Sequence, residues 1–169
     1  YAAYGQSQFP LPELTIQYAD YAVWQRQWFQ GDIVKKQLAY WQEQLDGAAA
    51  HPPLPTDNPR PEIPVSQGEW HTFSLSARLT DDLKTMSHQT GVTFFMLLLA
   101  GYATLMAHYS KQDDILVGSP VANRNRPELE GLIGFFINTI VLRTDLSGDT
   151  DFRSLLERVR KMTLGAYAH

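Results

Sequence analysis

The segment Ile133-Gly134-Phe135-Phe136-Ile137-Asn138-Thr139-Ile140-Val141-Leu142-Arg143 is the most informative part of this chain for its fold. Aromatic and β-branched residues dominate it, so it predicts a long strand over residues 133–146. Because side chains alternate along a strand, Asn138 shares one face with Phe136 and Ile140. The segment therefore predicts an amide side chain inside an apolar row, where an ordinary buried strand has none.

A buried amide needs a reason, because it costs about 1 to 3 kcal/mol when its hydrogen bonds are not made. Two explanations of Asn138 are open on the residues alone. Its side chain either ties down a neighbouring backbone group or lines a wet, functional channel. The first is a scaffolding role and the second is a role in chemistry.

Four further segments accompany this predicted strand. They are Tyr18-Ala19-Asp20-Tyr21-Ala22-Val23-Trp24-Gln25, Pro53-Leu54-Pro55-Thr56-Asp57-Asn58-Pro59-Arg60-Pro61, Asp113-Asp114-Ile115-Leu116-Val117-Gly118-Ser119-Pro120 and Asn123-Arg124-Asn125-Arg126-Pro127-Glu128-Leu129. In this order, and together with residues 133–143, they resemble the motifs of the condensation domain of nonribosomal peptide synthetases. The resemblance covers essentially the whole chain.

The resemblance implies both a fold and a chemistry. The implied fold is an α/β (α+β) layered sandwich, a chloramphenicol acetyltransferase-like lobe with a mixed β-sheet and flanking helices. The alternation of predicted helices and strands agrees with a layered architecture of this kind. The implied activity is acyltransferase-type formation of an amide bond between two carrier-bound acyl or aminoacyl thioesters, in the biosynthesis of antibiotics and other secondary metabolites.

The resemblance also implies how the substrates arrive. We expect no cofactor to bind the chain directly, since the phosphopantetheine arms belong to partner carrier proteins. The expected partners are peptidyl carrier domains, an adjacent adenylation domain and the missing N-terminal lobe. We further expect the isolated chain to self-associate through surface that this lobe would cover.

The resemblance assigns residues to two groups. The residues assigned to the substrate tunnel are Phe136, Asn138 and Thr139, where an amide NH2 group is suited to donate to an oxyanion. The residues assigned to structural motifs are Tyr18, Asp20, Trp24, Arg124 and Arg143.

The family's catalytic motif, HHxxxDG, has no match, since the five histidines stand alone. A histidine base needs an orienting partner at a defined spacing. We therefore expect an internal piece, less than half of a condensation domain, without a catalytic residue and inactive by itself. Its motifs are more similar to peptide-bond-forming members that accept an L-configured residue. The alternatives are a noncatalytic structural or carrier-docking lobe and an epimerisation or heterocyclisation relative.

Composition excludes several other classes of protein. The net charge of -4, without a basic block, gives no electrostatic footprint for nucleic acid. The absence of cysteine excludes disulfides, thiolate nucleophiles and Cys-ligated zinc, and no metal site is predicted. A cytoplasmic location is the expectation. The nearly uncharged run 93–110 is short for a membrane span of roughly 20 residues and predicts a buried core helix.

The predicted organisation has three parts. Residues 1–47 form a helical segment that follows the region of the catalytic motif. Residues 48–68 form a linker, because six of the ten prolines lie there and proline disrupts helices and sheet ladders. Residues 69–169 form the C-terminal lobe of the condensation domain.

Periodicity and capping residues predict the elements within these parts. Helices are predicted over 15–30 and 33–45, broken at Gly31 and ended by Gly47. Within the lobe we predict a strand over 69–75, a helix from Thr80 to Gly91, a helix capped by Thr93, a strand over 115–122 and a helix from Phe152.

Several polar and aromatic residues carry competing interpretations. For the arginines of 123–126, ion pairs with Glu128 and Glu130 are favoured over an anion site. Arg143 is left with either an ion pair to Asp145 or a contact across lobes. Asp20 is favoured as a structural hydrogen-bond acceptor rather than a base. A packing seam is favoured over a ligand platform for the aromatic residues Tyr18, Tyr21, Trp24, Trp28, Tyr40 and Trp41.

Overall fold

The computed structural model describes residues 13–48, 54–59, 68–148 and 151–169. Its elements are α1 (Tyr18–Trp28), α2 (Asp32–Leu45), α3 (Ala77–Thr90), α4 (Phe94–Ser110), β1 (Asp114–Val121), a 3-10 turn (Pro127–Leu129), β2 (Asn138–Asp145) and α5 (Phe152–Ala168). β1 and β2 pair as an antiparallel sheet. The predicted mixed α/β class is confirmed.

Local sequence signals account for the two N-terminal helices. At the start of α1, Asp20 Oδ2 accepts from the Gln17 N–H, and the Asp20 N–H donates to the Gln17 carbonyl. The break between α1 and α2 falls at Gly31, where φ is +61°. Gly47, with φ of +65°, follows the end of α2, and glycine adopts this conformation at no steric cost.

The predicted strand over 69–75 is wrong. The structure gives these residues no regular secondary structure, and the side chains of Trp70 and Phe73 are 99% and 75% exposed. Alternation is not sufficient for a strand, because the backbone also needs a partner strand to hydrogen-bond with. Most of the predicted linker 48–68 lies outside the described residues.

Two of the three caps predicted for α3 and α4 agree with the structure. The exception is the start of α3, where Ser76 rather than Thr80 is the cap and its Oγ accepts from the Leu79 N–H at 3.2 Å. Thr80 lies one turn inside the helix and donates to the Ser76 carbonyl. Gly91 ends α3 at φ +65°, and Thr93 Oγ1 caps α4 by accepting from the Met96 N–H.

One face of α4 is buried, as a core helix requires, and the other is exposed. The buried apolar residues are Met96, Leu97, Leu99, Ala100 and Ala103. Within the described ranges no single helix is long and apolar enough to cross a membrane. α3 and α4 meet that length and composition test only as a pair, and they bend by 104° at their break.

The central strand is shorter than its sequence suggests. β2 begins at Asn138, so residues 133–137 are not part of it, contrary to the prediction for 133–146. These residues form an irregular segment instead. Tyr18 of α1 donates to the Phe135 carbonyl, which occupies a backbone group that a strand ladder would use.

The chain divides into two compact units. One comprises the described residues within Tyr1–Gln42 and Ser119–Ile140, and its core is Tyr21, Leu129, Leu132 and Phe136. The other comprises those within Glu43–Gly118 and Val141–His169, where Ile115, Leu142, Leu156 and Val159 are at most 1% exposed. The three-part division drawn from the sequence stays a prediction.

Candidate functional site

Aromatic residues of α1 pack against residues 133–137, the segment before β2. The Tyr21 ring, 6% exposed, packs against Phe136 at 4.7 Å between ring centroids. The Tyr18 ring meets Phe136 edge-on at 5.3 Å, and Trp24 extends the row from Tyr21 at 5.9 Å. For Tyr18, Tyr21 and Trp24, these contacts agree with the predicted packing seam.

The Tyr21 hydroxyl accepts two hydrogen bonds beside these packed aromatic residues. Its oxygen accepts from Gln25 Nε2 at 3.2 Å and from Asn123 Nδ2 at 3.5 Å. Burial of the ring, with a smaller contribution from Tyr18, raises the pKa of Tyr21 above its ordinary value. The hydroxyl therefore stays neutral and serves as a structural link. Sequence reasoning missed this link, because no spacing rule joins Asn123 to a residue of α1.

Tyr18 holds the segment 133–137 by two contacts. Its hydroxyl donates to the Phe135 carbonyl at 2.9 Å. Its ring lies so close to the Gly134 backbone that a Cβ added to Gly134 would lie 2.2 Å from Tyr18 Cδ2. A side chain at 134 would therefore displace the Tyr18 ring, and glycine is the residue that avoids this.

Arg124 holds the same segment from the preceding loop. Its guanidinium lies 4.0 Å from the centre of the Phe136 ring, which is a cation–π contact. Its Nη1 donates to the carbonyls of Leu129 and Glu130. The expected pairing of this arginine with the carboxylates of Glu128 and Glu130 is wrong, because no such ion pair forms among the described residues. The neighbouring Arg126 lies over the ring of Trp24, 4.9 Å from its centre.

Asn138 and Thr139 begin β2 directly after the held segment. Both side chains are exposed, so the expectation of a buried amide at 138 is wrong for this chain. Asn138 Oδ1 accepts from the Thr139 N–H at 2.9 Å. Within the described part of the chain, Asn138 Nδ2 makes no hydrogen bond. Its oxygen is fixed while its NH2 group is free to donate.

Asp20 lies on α1, and its carboxylate is used by the helix itself. Asp20 Oδ2 accepts from the Gln17 N–H at 2.8 Å. The negative charge also lies in the first turn, where the helix dipole favours it. This is the structural hydrogen bond that the sequence analysis prefers to a catalytic base.

Arg143 forms a second polar cluster, at the other end of β2. Its Nε and Nη2 each donate to the carboxylate of Asp114 at 2.9 Å, as a bidentate pair. Its Nη1 donates to the carbonyls of Gln44 and Asp46, at 2.9 and 2.7 Å. The hydrogen bond to Asp114 is the main reason that the pKa of Arg143 is raised. The predicted ion pair with Asp145 is wrong, because the guanidinium pairs with Asp114 instead, and the alternative of a contact across lobes stays a prediction.

Asp145, beside Arg143, has its own hydrogen-bond donors. The hydroxyl and backbone N–H of Ser147 donate to its carboxylate, and the backbone bond is 2.8 Å long. These bonds lower the pKa of Asp145, and Arg158 and Arg143 add smaller favourable charges. The surrounding pocket of about 500 Å³ is lined by Glu43, Gln44, Asp114, Arg143 and Asp145. All three nitrogens of the Arg143 guanidinium donate to Asp114 or to the carbonyls after α2, so we interpret this cluster as structural.

The family comparison agrees with the motifs around these sites. The profile described as "Condensation domain" matches residues 1–169. The chain belongs to the condensation-domain family. It is similar to one of the proteins that make up the linear gramicidin synthase of Brevibacillus parabrevis, with 55% identity over 100% of this chain. It is also similar to malpinin synthetase of Mortierella alpina, with 49% identity over 95% of this chain. The chain spans only 3% and 2% of the lengths of these two relatives.

Solved structures of condensation domains and their relatives have the same fold. The X-domain in its complex with OxyB from teicoplanin biosynthesis aligns over 99% of this chain and 38% of its own, with 28% identity and a TM-score of 0.88. The first condensation domain of the CDA synthetase aligns over 99% of this chain and 36% of its own, with a TM-score of 0.75. Its identity of 18% supports the fold alone. The chloramphenicol acetyltransferase-like fold class is thereby confirmed.

No metal centre is apparent in the described ranges, where no three His, Asp or Glu side chains gather. Phe136 contacts Tyr18 and Arg124, and Asn138 and Thr139 follow it closely in the chain. Trp24 adjoins this group through Tyr21, whereas Arg143 belongs to the separate cluster around Asp114. The tunnel assignment of Phe136, Asn138 and Thr139 remains a prediction.

Proposed function

We propose that this chain forms part of a condensation domain that joins two carrier-bound acyl or aminoacyl groups through an amide. The amine nitrogen of one group attacks the thioester carbonyl of the other and forms the C–N bond. The C–S bond then breaks, the phosphopantetheine sulfur leaves as a thiolate, and the proton that the nitrogen loses converts this thiolate to the free thiol. Family membership supports this reaction class, and the substrates are two thioesters held by carrier domains.

The observation that supports a role for this chain is the free NH2 group of Asn138. The attack places negative charge on the carbonyl oxygen, and a preorganised hydrogen-bond donor stabilises this charge. Asn138 Nδ2 is exposed at the start of β2, and its orientation is set by the bond between Oδ1 and the Thr139 N–H. Thr139, the next residue, carries a hydroxyl, and the buried Phe136 anchors the chain two positions before Asn138.

The test replaces the donor and keeps the acceptor. In the complete synthetase module, Asn138→Asp preserves an oxygen for the Thr139 N–H and removes the NH2 group. We expect single-turnover amide formation to fall by about a hundredfold or more, the usual effect of losing one oxyanion donor. The rate is measured by mass spectrometry of the carrier-bound product.

The matched control is Asn125→Ala, since Asn125 is an exposed amide in the preceding loop. Its rate and its unfolding temperature should equal those of the unmodified module. An Asn138→Asp module with an unchanged rate would contradict the donor role. The isolated chain should release no amide product in this assay, because it offers no oriented base.

A second function, docking without catalysis, has a specific observation in its favour. The X-domain that aligns with this chain is known in a complex with OxyB, so a domain of this fold also binds a protein partner. An unmodified module that forms no amide but retains carrier proteins in a pull-down experiment would favour docking. Partners under either function are carrier domains, an adenylation domain and the other lobe. Epimerisation or heterocyclisation would be recognised by the products of the same assay.

A further inference from the structure

Two residues outside the proposed tunnel hold the segment that leads into Asn138. Tyr18 contacts it from α1 through the Phe135 carbonyl and the Gly134 backbone. Arg124 contacts it from the loop through the Phe136 ring. The hydrogen bond from Tyr18 and the cation–π contact from Arg124 are made to consecutive residues, Phe135 and Phe136. Asn138 lies two positions after Phe136.

Residues 133–137 have little else to hold them. They lie outside the strand ladder, and the side chains of Ile133, Phe135 and Ile137 are 94%, 80% and 59% exposed. Phe136 is the exception, at 3% exposed. The backbone of this segment is therefore set by the Phe136 anchor and by the hydrogen bond at Phe135.

Hydrogen bonds to backbone carbonyls fix the Arg124 guanidinium independently of its contact with Phe136. Its Nη1 donates to the carbonyls of Leu129 and Glu130, at the 3-10 turn Pro127–Leu129. These hydrogen bonds fix the plane of the guanidinium. A lysine ammonium has no such plane and lies at the end of a flexible chain. The cation–π contact thus transmits the position of the turn to the Phe136 ring.

We propose that Tyr18 and Arg124, the Tyr18–Arg124 clamp, are positioning residues that orient the Asn138 amide for amide formation. This inference rests on the proposed function. Neither residue needs to touch the substrates. Displacing the Asn138 donor by about 1 Å costs as much as a hundredfold in rate, so the effect of a smaller displacement is measurable.

Each variant removes one contact of the Tyr18–Arg124 clamp and leaves the surrounding packing in place. Tyr18→Phe keeps the ring over Gly134 and deletes the hydroxyl that donates to Phe135. Arg124→Lys keeps the charge and deletes the planar contact. Matched controls are Tyr167→Phe and Arg160→Lys, which change exposed residues of α5.

In the complete module, each clamp variant should lower kcat for amide formation by about tenfold, a fraction of the effect of a full misplacement. KM for either carrier protein and the unfolding midpoint should stay within about twofold and about 2 °C of the controls. An unchanged kcat would overturn the proposal. So would a loss of rate that is fully accounted for by unfolded protein.

A double-mutant cycle separates positioning from a general structural role. In the Asn138→Asp background the clamp variants should cause no further fall in kcat, because the group that they orient is gone. The same tenfold fall in both backgrounds would show that the clamp acts elsewhere, which would overturn the proposal.

A spectroscopic readout keeps the clamp testable if the module forms no amide, a result that would overturn the proposed function. In the complete module labelled with 15N-asparagine, the Asn138 side-chain signal is identified by its loss in Asn138→Asp. Tyr18→Phe and Arg124→Lys should shift or broaden this signal, and the controls should not. A signal that is identical in all four variants would overturn the clamp independently of activity.

Discussion

At the scale of single residues, the space around a glycine decides whether it tolerates a side chain. Gly134 and Gly101 show the difference. A Cβ at Gly134 would meet three atoms of the Tyr18 ring within 2.8 Å, whereas a Cβ at Gly101 of α4 would meet nothing within 4 Å. The first glycine serves tertiary packing, and the second only lowers the helix propensity of α4.

The residue-scale prediction compares Gly134→Ala with Gly101→Ala. Gly134→Ala should lower the free energy of unfolding by about 1 to 3 kcal/mol, because the methyl group displaces the Tyr18 ring. Gly101→Ala should raise it by up to about 1 kcal/mol, since alanine favours a helix. Urea unfolding of the complete condensation domain measures both. Equal effects of the two substitutions would contradict the close approach at Gly134.

At the scale of elements, Arg143 links parts of the chain that are far apart in sequence. Its guanidinium joins β2 to Asp114 at the start of β1 and to the carbonyls at the C-terminal end of α2. The positive charge there also suits the negative end of the α2 dipole. The side chains of Arg143 and Asp114 are 25% and 31% exposed, so solvent weakens the pair only in part.

The element-scale prediction is that Arg143→Lys destabilises the fold by about 1 to 2 kcal/mol. Lysine keeps the charge, but it cannot serve a carboxylate and two carbonyls in one plane. Arg160→Lys on the exposed side of α5 is the matched control and should change the unfolding free energy by less than about 0.5 kcal/mol. Chemical unfolding of the complete domain is the measurement. A loss in Arg143→Lys no larger than that of the control would refute the linking role.

At the scale of the whole molecule, exposed apolar surface is the main feature. α4 carries a stripe of five half-exposed apolar residues at helical spacing, between 43% and 54% exposed. They are Phe95, Leu98, Tyr102, Leu105 and Tyr109. A spacing of three and four residues places all five on one face of the helix. The solved structures that the chain resembles are longer than it, since it aligns with 38% of the X-domain chain.

The prediction at this scale concerns the isolated chain. A contiguous apolar patch of more than a few hundred Å² promotes association, so the chain should sediment as an oligomer and enhance the fluorescence of a hydrophobic dye. A variant carrying Leu98→Gln and Leu105→Gln should form less oligomer and enhance the dye fluorescence less. The double substitution of Lys36→Gln and Lys161→Gln, on exposed polar positions, serves as the control. A compact monomer that binds no dye would show that the stripe does not drive association.

Features that depend on near neighbours in the chain could be predicted from the amino-acid sequence alone. The αL glycines at 31, 47 and 91 and the Thr93 cap follow from residues within one turn. The motif order was also sufficient for the family, which the profile match confirms. Such features need no knowledge of distant contacts, because capping bonds and backbone conformation are local.

Features that depend on distant partners emerged only from the folded chain. Residues 133–137 have the composition of a strand, but the Tyr18 hydroxyl occupies the Phe135 carbonyl, and β2 starts only at Asn138. Arg143 pairs with Asp114, 29 residues away, rather than with the nearby Asp145. The alternation pattern could not predict the exposure of Asn138 either. The reason is physical: a strand or an ion pair forms with whichever groups the fold brings near, and sequence spacing does not contain that distance.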